Sequence, residues 1–382
     1  MNKKPLDLSA TFDTVDHKKL LNILKTEILI DGNALKWFES FLCGRCQKVK
    51  IGNFESEEII IKFGVPQGSV LGPVLFNIYI RSLYKTVQSQ RFSIQGFADD
   101  HQVYKSFQLN REYAVIAHEV PTIFREIEKW MAYHFLQINP GKTEAIVFAS
   151  AHVLAQLQLN GCFITPSICI RFVNTAKNLG IRLDSRLTFK DQIKTLKMSC
   201  FLKLCQIKKM RPYLAINQIQ TLVQASVLLS LDYCNSLYYG ICTNMMMQLQ
   251  VIQNHACRTI FGLKKQETPI NHLKKLHWLK VNERIQFKIL LLVYKSLVGL
   301  APIYIQELLS YNNTSGSRLL SLHTPVSKSR YGERAFSFSA PKLWNNLPYE
   351  IKQAPNIESF KRRLKHHLFM KSYTAQDDEL CL

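Results

Sequence analysis

Apolar and polar positions change rhythm near the middle of the chain. Up to about residue 185, short period-two runs typical of strands are interleaved with runs of period near 3.6, typical of amphipathic helices. Pro5-Leu-Asp-Leu reads as a short strand, residues 18–30 as an amphipathic helix and 34–42 as a second, presenting Leu35, Trp37, Phe38 and Leu42. Residues 47–51 and 58–63 alternate as strands, with turn chemistry at Gly52-Asn53 between them. The loop Gly64-Val-Pro-Gln-Gly-Ser leads into an apolar helix from Val70 or Gly72 to about Val87. Residues 92–97 and 101–107 form a predicted hairpin with Ala98-Asp99-Asp100 at its tip. Residues 122–136 read as a helix, Ile138-Asn-Pro-Gly-Lys142-Thr as a turn and 144–148 as a strand. Such alternation predicts an α+β sheet domain with helices on one face. Pro5 removes a backbone donor, which fits a sheet edge or the start of a strand.

Beyond residue 186 the helical period dominates, with predicted helices at 190–210, 216–231, 244–262, 281–298 and 357–371. Residues 311–333 are rich in Ser, Asn, Thr and Gly and read as a linker or long loop. The expected organisation is a sheet domain over 1–185, a helical region over 186–310, that linker, and a C-terminal segment over 334–382.

A chain of 382 residues with 47% hydrophobic and 20% charged residues can bury the cores of two or three domains. No apolar run approaches the ~20 residues that span a bilayer, and residues 1–5 lack the apolar stretch of a secretory signal. An intracellular protein of nucleus or cytoplasm is expected, neither secreted nor membrane-bound. The ten cysteines are scattered, so reduced thiols are the default. Cys43-Gly-Arg-Cys46 has zinc-ligand spacing but no second pair nearby, and Cys234, Cys242, His255 and Cys257 fit no zinc-knuckle spacing.

The formal net charge of +21 is unevenly spread. Residues 1–185 carry 21 Lys/Arg against 17 Asp/Glu, whereas 186–375 carry 28 against 8. Positive charge concentrated in one half is the footprint of polyanion binding. Lys194, Lys197, Lys203, Lys208, Lys209 and Arg211 recur along one predicted helix, with Leu196, Phe201 and Leu204 interleaved. There they could neutralise backbone phosphates with strongly salt-dependent affinity. A second run, Lys361-Arg-Arg-Leu-Lys-His-His367, could do the same or direct nuclear import.

Three features of the first hundred residues point to one chemistry: Asp7 on a short apolar strand, the Asp99-Asp100 hairpin tip, and the Gly64–Ser69 loop. Two hard divalent cations about 4 Å apart can activate an attacking oxygen and stabilise a leaving one. Such ions are held by carboxylates on adjacent strands together with substrate phosphates. Successive strand residues point to opposite faces, so Asp99 is better placed than Asp100 to share metals with Asp7. Asp100 then supports it or ligates the second ion.

These residues resemble a known family. Leu6-Asp-Leu-Ser-Ala-Thr-Phe-Asp-Thr-Val-Asp-His17 is similar to the first palm motif of jockey-like reverse transcriptases from non-LTR retrotransposons. Gly64-Val-Pro-Gln-Gly-Ser-Val-Leu-Gly-Pro-Val-Leu-Phe76 resembles their second, and Phe97-Ala-Asp-Asp100 their catalytic hairpin. Leu136-Gln-Ile-Asn-Pro-Gly-Lys-Thr-Glu144 is similar to the next motif, and Asn178-Leu-Gly-Ile-Arg-Leu-Asp184 to the hairpin leading from palm to thumb. Likeness continues through Tyr233-Cys-Asn, Ile252-Gln-Asn-His-Ala-Cys-Arg258 and Ala340-Pro-Lys-Leu-Trp-Asn-Asn-Leu-Pro348.

The resemblance implies a reverse-transcriptase palm, an antiparallel sheet with helices on one face, followed by a mostly helical thumb and C-terminal region. It implies RNA-directed DNA synthesis using an RNA template, a DNA primer, dNTPs and two Mg²⁺ ions, or Mn²⁺ in their place. Asp7 and Asp99, with Asp100, would hold the metals. Phe12 would lie under the incoming sugar and exclude a 2′-hydroxyl, although the same ring could be a core aromatic. Gln67 and Gly68 would pack near the nascent pair, and Lys142 near the triphosphate. Asp13, Asp16 and His17 are expected to play supporting, structural parts. Met1 stands six residues before Asp7, so the fingers region and endonuclease domain of family members are expected to be missing. Three outcomes stay open: a reverse transcriptase, a non-catalytic nucleic-acid binder, and a relic without a selected role.

Overall fold

The computed structural model describes residues 2–6, 12–66, 68–107, 109–157, 162–164, 169–311, 321–327 and 329–374. The chain divides into two compact units after Leu187.

The first unit opens with β1 (Asn2–Leu6), α1 (His17–Thr26) and α2 (Gly32–Leu42). Asp16 caps α1 by accepting from the Lys19 amide at 2.7 Å, and Asp31 caps α2 through the Gly32 amide. The predicted strand pair at 47–63 is broken into four two-residue pieces, β2 (Cys46–Gln47), β3 (Lys50–Ile51), β4 (Phe54–Glu55) and β5 (Ile59–Ile60). β2 pairs with β5 and β3 with β4 around Gly52, held at φ +60°. The apolar stretch after the Gly-rich loop forms two helices, α3 (Gly72–Tyr79) and α4 (Arg81–Ser89), hinged at Ile80. The hairpin β6 (Ser93–Phe97) and β7 (Asp100–Lys105) follows, then α5 (Leu109–Tyr133) and β8 (Glu144–Val147). The unit closes with α6 (Ala151–Leu157), β9 (Cys162–Ile164), β10 (Cys169–Phe172), β11 (Thr175–Asn178) and β12 (Ile181–Asp184).

The main sheet runs β6-β7-β1-β8-β10-β9. It is antiparallel except where β10 lies parallel to β8, a pairing the expected antiparallel sheet lacked. Ile94 and Val103 stand opposite each other and are buried against α1, α3, α4 and α5 in one apolar core. Gln102, one position before Val103, faces the other way and donates to Asn178 of the β11–β12 hairpin at 2.5 Å. Sequence placed Pro5 at an edge or strand start, yet β1 is interior. The β8 ladder reaches only Asn2 and Lys3, so Pro5 has the single neighbour β7 and its missing donor is tolerated. α5 begins well before the predicted 122, which puts Pro121 inside it. An interior proline costs a helix about 3 kcal/mol, offset here by burial of Val120, Ile123, Phe124 and Ile127. Cys169, which opens β10 opposite Ile164 of β9, is disulfide-bonded, against the expectation of reduced thiols.

The second unit is helical: α7 (Lys190–Met210), α8 (Ile216–Val223), α9 (Leu229–Asp232), α10 (Thr243–Phe261), α11 (Ile270–Lys275), α12 (Val281–Leu297), α13 (Ile303–Gln306), α14 (Arg330–Arg334), α15 (Phe336–Asn345), α16 (Tyr349–Lys352) and α17 (Ile357–Thr374). α8 and α9 occupy the single helix predicted over 216–231, joined by a π-helical turn at Gln224–Leu228. Several motif residues hold this unit together. Gln253 is fully buried and donates to the Leu279 carbonyl at 2.8 Å. Asn345 bonds both the amide and the carbonyl of Leu322. Trp344 and Phe360 are buried beside Tyr294, whose ring stacks on Phe360 at 4.2 Å. Among the described residues, no helix is long and apolar enough to cross a membrane.

Burial holds His101, His134, His255 and His367 below the usual imidazole range. Their unfolded counterparts, near 6.5, take up protons first as pH falls. Stability is therefore expected to be full above the unfolded value and to decline as pH drops from there through the folded values. Urea midpoints at about pH 7.5 and about pH 5.5 check this: the acid midpoint should be lower, and His134→Phe should reduce the difference.

Candidate active site

Two loops fifty residues apart in sequence are stitched together through the main chain. The Gly64 amide donates to the Val15 carbonyl and the Val65 amide to the Phe12 carbonyl, each at 2.8 Å. Asp16 and Phe63 form a β-bridge. His17, buried, donates from Nε2 to the Gly64 carbonyl at 2.7 Å. Gly64 sits at φ +91°, and a Cβ there would lie 2.9 Å from the Asp13 Cα and 3.0 Å from the Phe12 carbonyl oxygen. Both conformation and crowding demand glycine at this position.

The neighbouring side chains follow from the stitch. Phe12 is half-buried, its ring centroid 5.0 Å from that of the fully buried Phe76. Asp13 lines a cleft of about 640 Å³ together with Arg45, Gln47, Lys62, Gly64 and Pro66. Arg45 and Lys62 were not singled out from sequence. They flank the β2–β5 ladder, where the Ile61 amide bonds the Arg45 carbonyl at 2.8 Å. A basic residue at each foot of the hairpin joining two motif loops is the signal that could have found them. Gly68 is exposed at φ +79° with open space around it, so conformation alone selects glycine there.

At the β6–β7 hairpin, Ala98 adopts φ +53° and Asp99 completes the turn. Asp99 is half-buried; Asp100 is exposed and pairs with Phe97 as the first residue of β7. His101, 1% exposed, meets the Asp99 carbonyl through Nδ1 at 2.9 Å. A carbonyl only accepts, so Nδ1 carries the proton, and Nε2 is left buried without a partner. Burial depresses this imidazole, which keeps it neutral beside the two aspartates at neutral pH. Opposite His101 stands Gly96, where a Cβ would overlap the Tyr84 hydroxyl and lie 2.9 Å from the His101 ring. Tyr84, Gly96 and His101 thus buttress the aspartate turn, a role no local sequence pattern announces.

Strand register brings further elements to the same end of the sheet. β1 sets Leu6 opposite His101 on one side and Asn2 opposite Val147 on the other. Hence the end of β1, the Ala98-Asp99 turn and the 139–143 turn entering β8 share one edge. Lys142 is exposed in that turn, which is tightened by Asn139 accepting from the Gly141 amide. Asp7 and Gln67 lie outside the described residues.

The six cationic residues predicted on one helix do not behave alike. Lys194, Lys208 and Lys209 are exposed on α7, and Lys197 is half-buried. Lys203, nine residues from Lys194 and so half a turn out of phase, donates to the Ser226 carbonyl and Ser230 Oγ, both at 3.0 Å. Arg211 falls beyond α7, its guanidinium lying against Gly262, where a Cβ would collide with it.

Gly64→Ala is expected to lower the unfolding free energy by about 2–4 kcal/mol, combining backbone strain with collision against main chain. Gly68→Ala should cost only the conformational part, about 1–2 kcal/mol. Urea denaturation of the two variants compares them directly; equal losses would mean that the close approach at Gly64 contributes nothing.

The family model for reverse transcriptase (RNA-dependent DNA polymerase) matches residues 5–183. The chain is 26% identical over 272 residues to a probable RNA-directed DNA polymerase from transposon BS of Drosophila melanogaster, covering 67% of this chain and 28% of that protein. To the RNA-directed DNA polymerase from mobile element jockey of Drosophila funebris it is 26% identical over 266 residues, with the same coverage. This chain therefore spans 28% of the length of these two relatives. A solved structure of telomerase from Candida albicans, in complex with a TWJ fragment of telomeric RNA, matches 80% of this chain and 50% of that one. Its 15% identity and TM-score of 0.33 are too low to establish a shared fold. Residues 5–183 belong to the reverse transcriptase family, and the chain is a relative of the polymerases of jockey-like non-LTR retrotransposons.

Proposed function

We propose that the chain acts in RNA-templated DNA synthesis, with the first unit serving as palm and the second as a helical thumb and C-terminal region. The observation that carries this reading is the meeting of the Asp99-Asp100 turn, the end of β1 and the 139–143 turn at one sheet edge. Its substrates would be an RNA template, a DNA primer and dNTPs.

Asp99 and Asp100 offer hard carboxylate oxygens, and Mg²⁺ is held by one or two carboxylates plus substrate phosphates. That donor set fits Mg²⁺ or Mn²⁺, with Asp7 as the third carboxylate in this reading. A bound divalent cation supplies activation of the primer hydroxyl and neutralisation of charge on the leaving oxygen. The protein's part is to hold the carboxylates still. Neutral His101 fixes the Asp99 main chain without contributing charge of its own. Phe12, propped on Phe76, would present a ring edge to the incoming sugar and leave no room for a 2′-hydroxyl. Gln67 and Gly68 would pass near the nascent pair, and Lys142 would donate a proton or stabilise charge at the triphosphate. Arg45 and Lys62, in the cleft shared with Asp13, add a cationic wall suited to phosphates. In the second unit, Lys194, Lys197, Lys208 and Lys209 would contact backbone phosphates.

Primer extension on an RNA template, with purified protein, divalent metal and dNTPs, tests the palm. Loss of an outer-sphere partner alone costs metal sites about 10- to 100-fold, so Asp99→Ala is expected to cut extension more than ~100-fold while primer–template binding stays unchanged. Equal loss of binding and synthesis would remove the metal-ligand role. Salt dependence tests the lysines. Each neutralised phosphate adds about 0.7–0.9 to the slope of log affinity against log salt, so changing Lys194, Lys208 and Lys209 together to Ala should flatten it by about 2–3. An unchanged slope would place the phosphates elsewhere.

A further inference from the structure

The Tyr233-Cys-Asn235 motif is not among the residues proposed for nucleotide addition, and it borders a cleft of the second unit. Two clefts of about 410 Å³ and 240 Å³ share Asp232 and Lys288 in their walls. The larger is bounded by the π-helical turn and α9 on one side, and by residues 277–279 and α12 on the other. Its floor is apolar: Leu229 is 64% exposed, Phe287 is half-buried, and Trp278 and Leu279 are buried beneath. Its rim is cationic, with Lys288 and Lys365 both exposed. Asp232, the acid in the wall, is paired with Arg284, whose Nε donates to Oδ1 at 2.8 Å while Nη2 bonds Oδ2. The wall at 277–279 is pinned from behind, Gln253 and Tyr373 donating to the Leu279 and Trp278 carbonyls, each at 2.8 Å.

Three observations mark these clefts as built for a ligand. His277 and Cys234, neither of them glycine, are held at φ +51° and +52°, and each lines one cleft. Strained backbone of this kind persists where the surroundings over-determine it, commonly at binding sites. A π-turn borders the larger cleft, and such turns also cluster at functional sites. In the smaller cleft Asn235 is 2% exposed and gives Nδ2 to Asp232, while its Oδ1 has no partner. A buried acceptor without a donor costs free energy that a ligand hydroxyl or amino group would recover. Lys295 adds a second cation there.

We propose that the paired clefts bind one unpaired nucleotide of a single-stranded nucleic acid. The base lies on Leu229 and Phe287 in the larger cleft, its phosphate meets Lys288 at the junction, and Lys295 and Lys365 take the flanking phosphates. An apolar floor under a cationic rim is the arrangement by which single strands are held, stacking giving affinity and lysines tracking the backbone. A duplex keeps its bases stacked and paired, so the larger cleft discriminates against it. A ribose 2′-hydroxyl is a donor of the kind that Asn235 lacks. This site is separate from the α7 lysines and its test needs no catalysis.

The experiment is fluorescence anisotropy with the full chain and labelled oligonucleotides of about 12 nucleotides, within the usual reach of single-strand sites. RNA and DNA are each offered single-stranded and as duplex. The single strand should bind more tightly than the duplex. Leu229→Asp should weaken single-strand binding about tenfold, in line with the loss of one stacked base, Lys288→Ala should weaken it through the lost phosphate contact, and both should leave duplex binding unchanged. The preference should survive in a variant with Lys194, Lys208 and Lys209 changed to Ala, which separates this site from the proposed thumb contact. Stronger binding of RNA than DNA assigns the Asn235 contact to the 2′-hydroxyl; equal binding assigns recognition to base and phosphate. Should Leu229→Asp fail to fold, by thermal melting, the exposed pair Lys288→Ala and Lys365→Ala decides. A single-strand preference untouched by the lysine variants, or no preference in the parent chain, overturns the proposal.

Discussion

Main-chain hydrogen bonds from Gly64 and Val65 to Val15 and Phe12 determine where everything else in the first unit can sit. Each such bond contributes only about 1 kcal/mol net, so the stitch matters less for its energy than for the register it imposes. Gly64 makes it possible, because any side chain would hold the two backbones apart. From the stitch, order passes outward in both directions. Asp16 caps α1, and its amide meets the Tyr79 hydroxyl at 3.4 Å, which in turn donates to the His134 carbonyl beyond the end of α5. Tyr79 is fully buried and its phenol pushed up to about 12, chiefly by burial, so it stays neutral and can accept and donate at once. One polar chain therefore links the first motif loop, α3 and α5 through the middle of an apolar core.

That arrangement explains what could be read from the sequence and what could not. Local signals were legible: the Gly-rich loop, the aspartate hairpin, and the long helices α7, α10, α12 and α17, whose period-3.6 burial spans many residues. Short or interrupted elements were not. β9 and β10 are three and four residues long, too brief for periodicity to register. Nor could periodicity see that α5 runs through Pro121, since local propensity is overridden there by the core that Phe124 and Ile127 join. Sheet order is a property of pairing between distant segments, so neither the interior place of β1 nor the parallel pairing of β10 with β8 could be inferred from local rhythm.

For the site the division is similar. Carboxylates at a turn announce themselves, whereas the buttress of Tyr84, Gly96 and His101 exists only once strand and helix are packed. Adjacent Asp99 and Asp100 looked equivalent apart from parity. They differ in the folded chain because the turn half-buries the first and leaves the second exposed. Gly64 and Gly68 read alike as turn glycines, yet only the former is required for contact with another segment.

The same caution applies to charge. A surplus of twenty across residues 186–375 suggests one broad polyanion surface, but several of these cations bond groups inside the unit. Lys203 bonds the π-turn carbonyl, Arg284 pairs with Asp232, and Arg334 donates to the Tyr239 carbonyl. Lys352 reaches the Asn345 carbonyl, and burial lowers its pKa. Lys203, Arg334 and Lys352 fill carbonyls that helix ends and bends leave open, and Arg284 neutralises a carboxylate, all structural uses of a cation. Lys194, Lys208 and Lys209 on α7, and Lys288 and Lys365 around the cleft beside α9, are exposed, and the proposed contacts rest on them. Net charge brings a polyanion near through long-range attraction. In the proposed cleft, selectivity for a nucleotide would come from the apolar floor and the unpaired acceptor beside the cations, because attraction to phosphate is the same for every sequence.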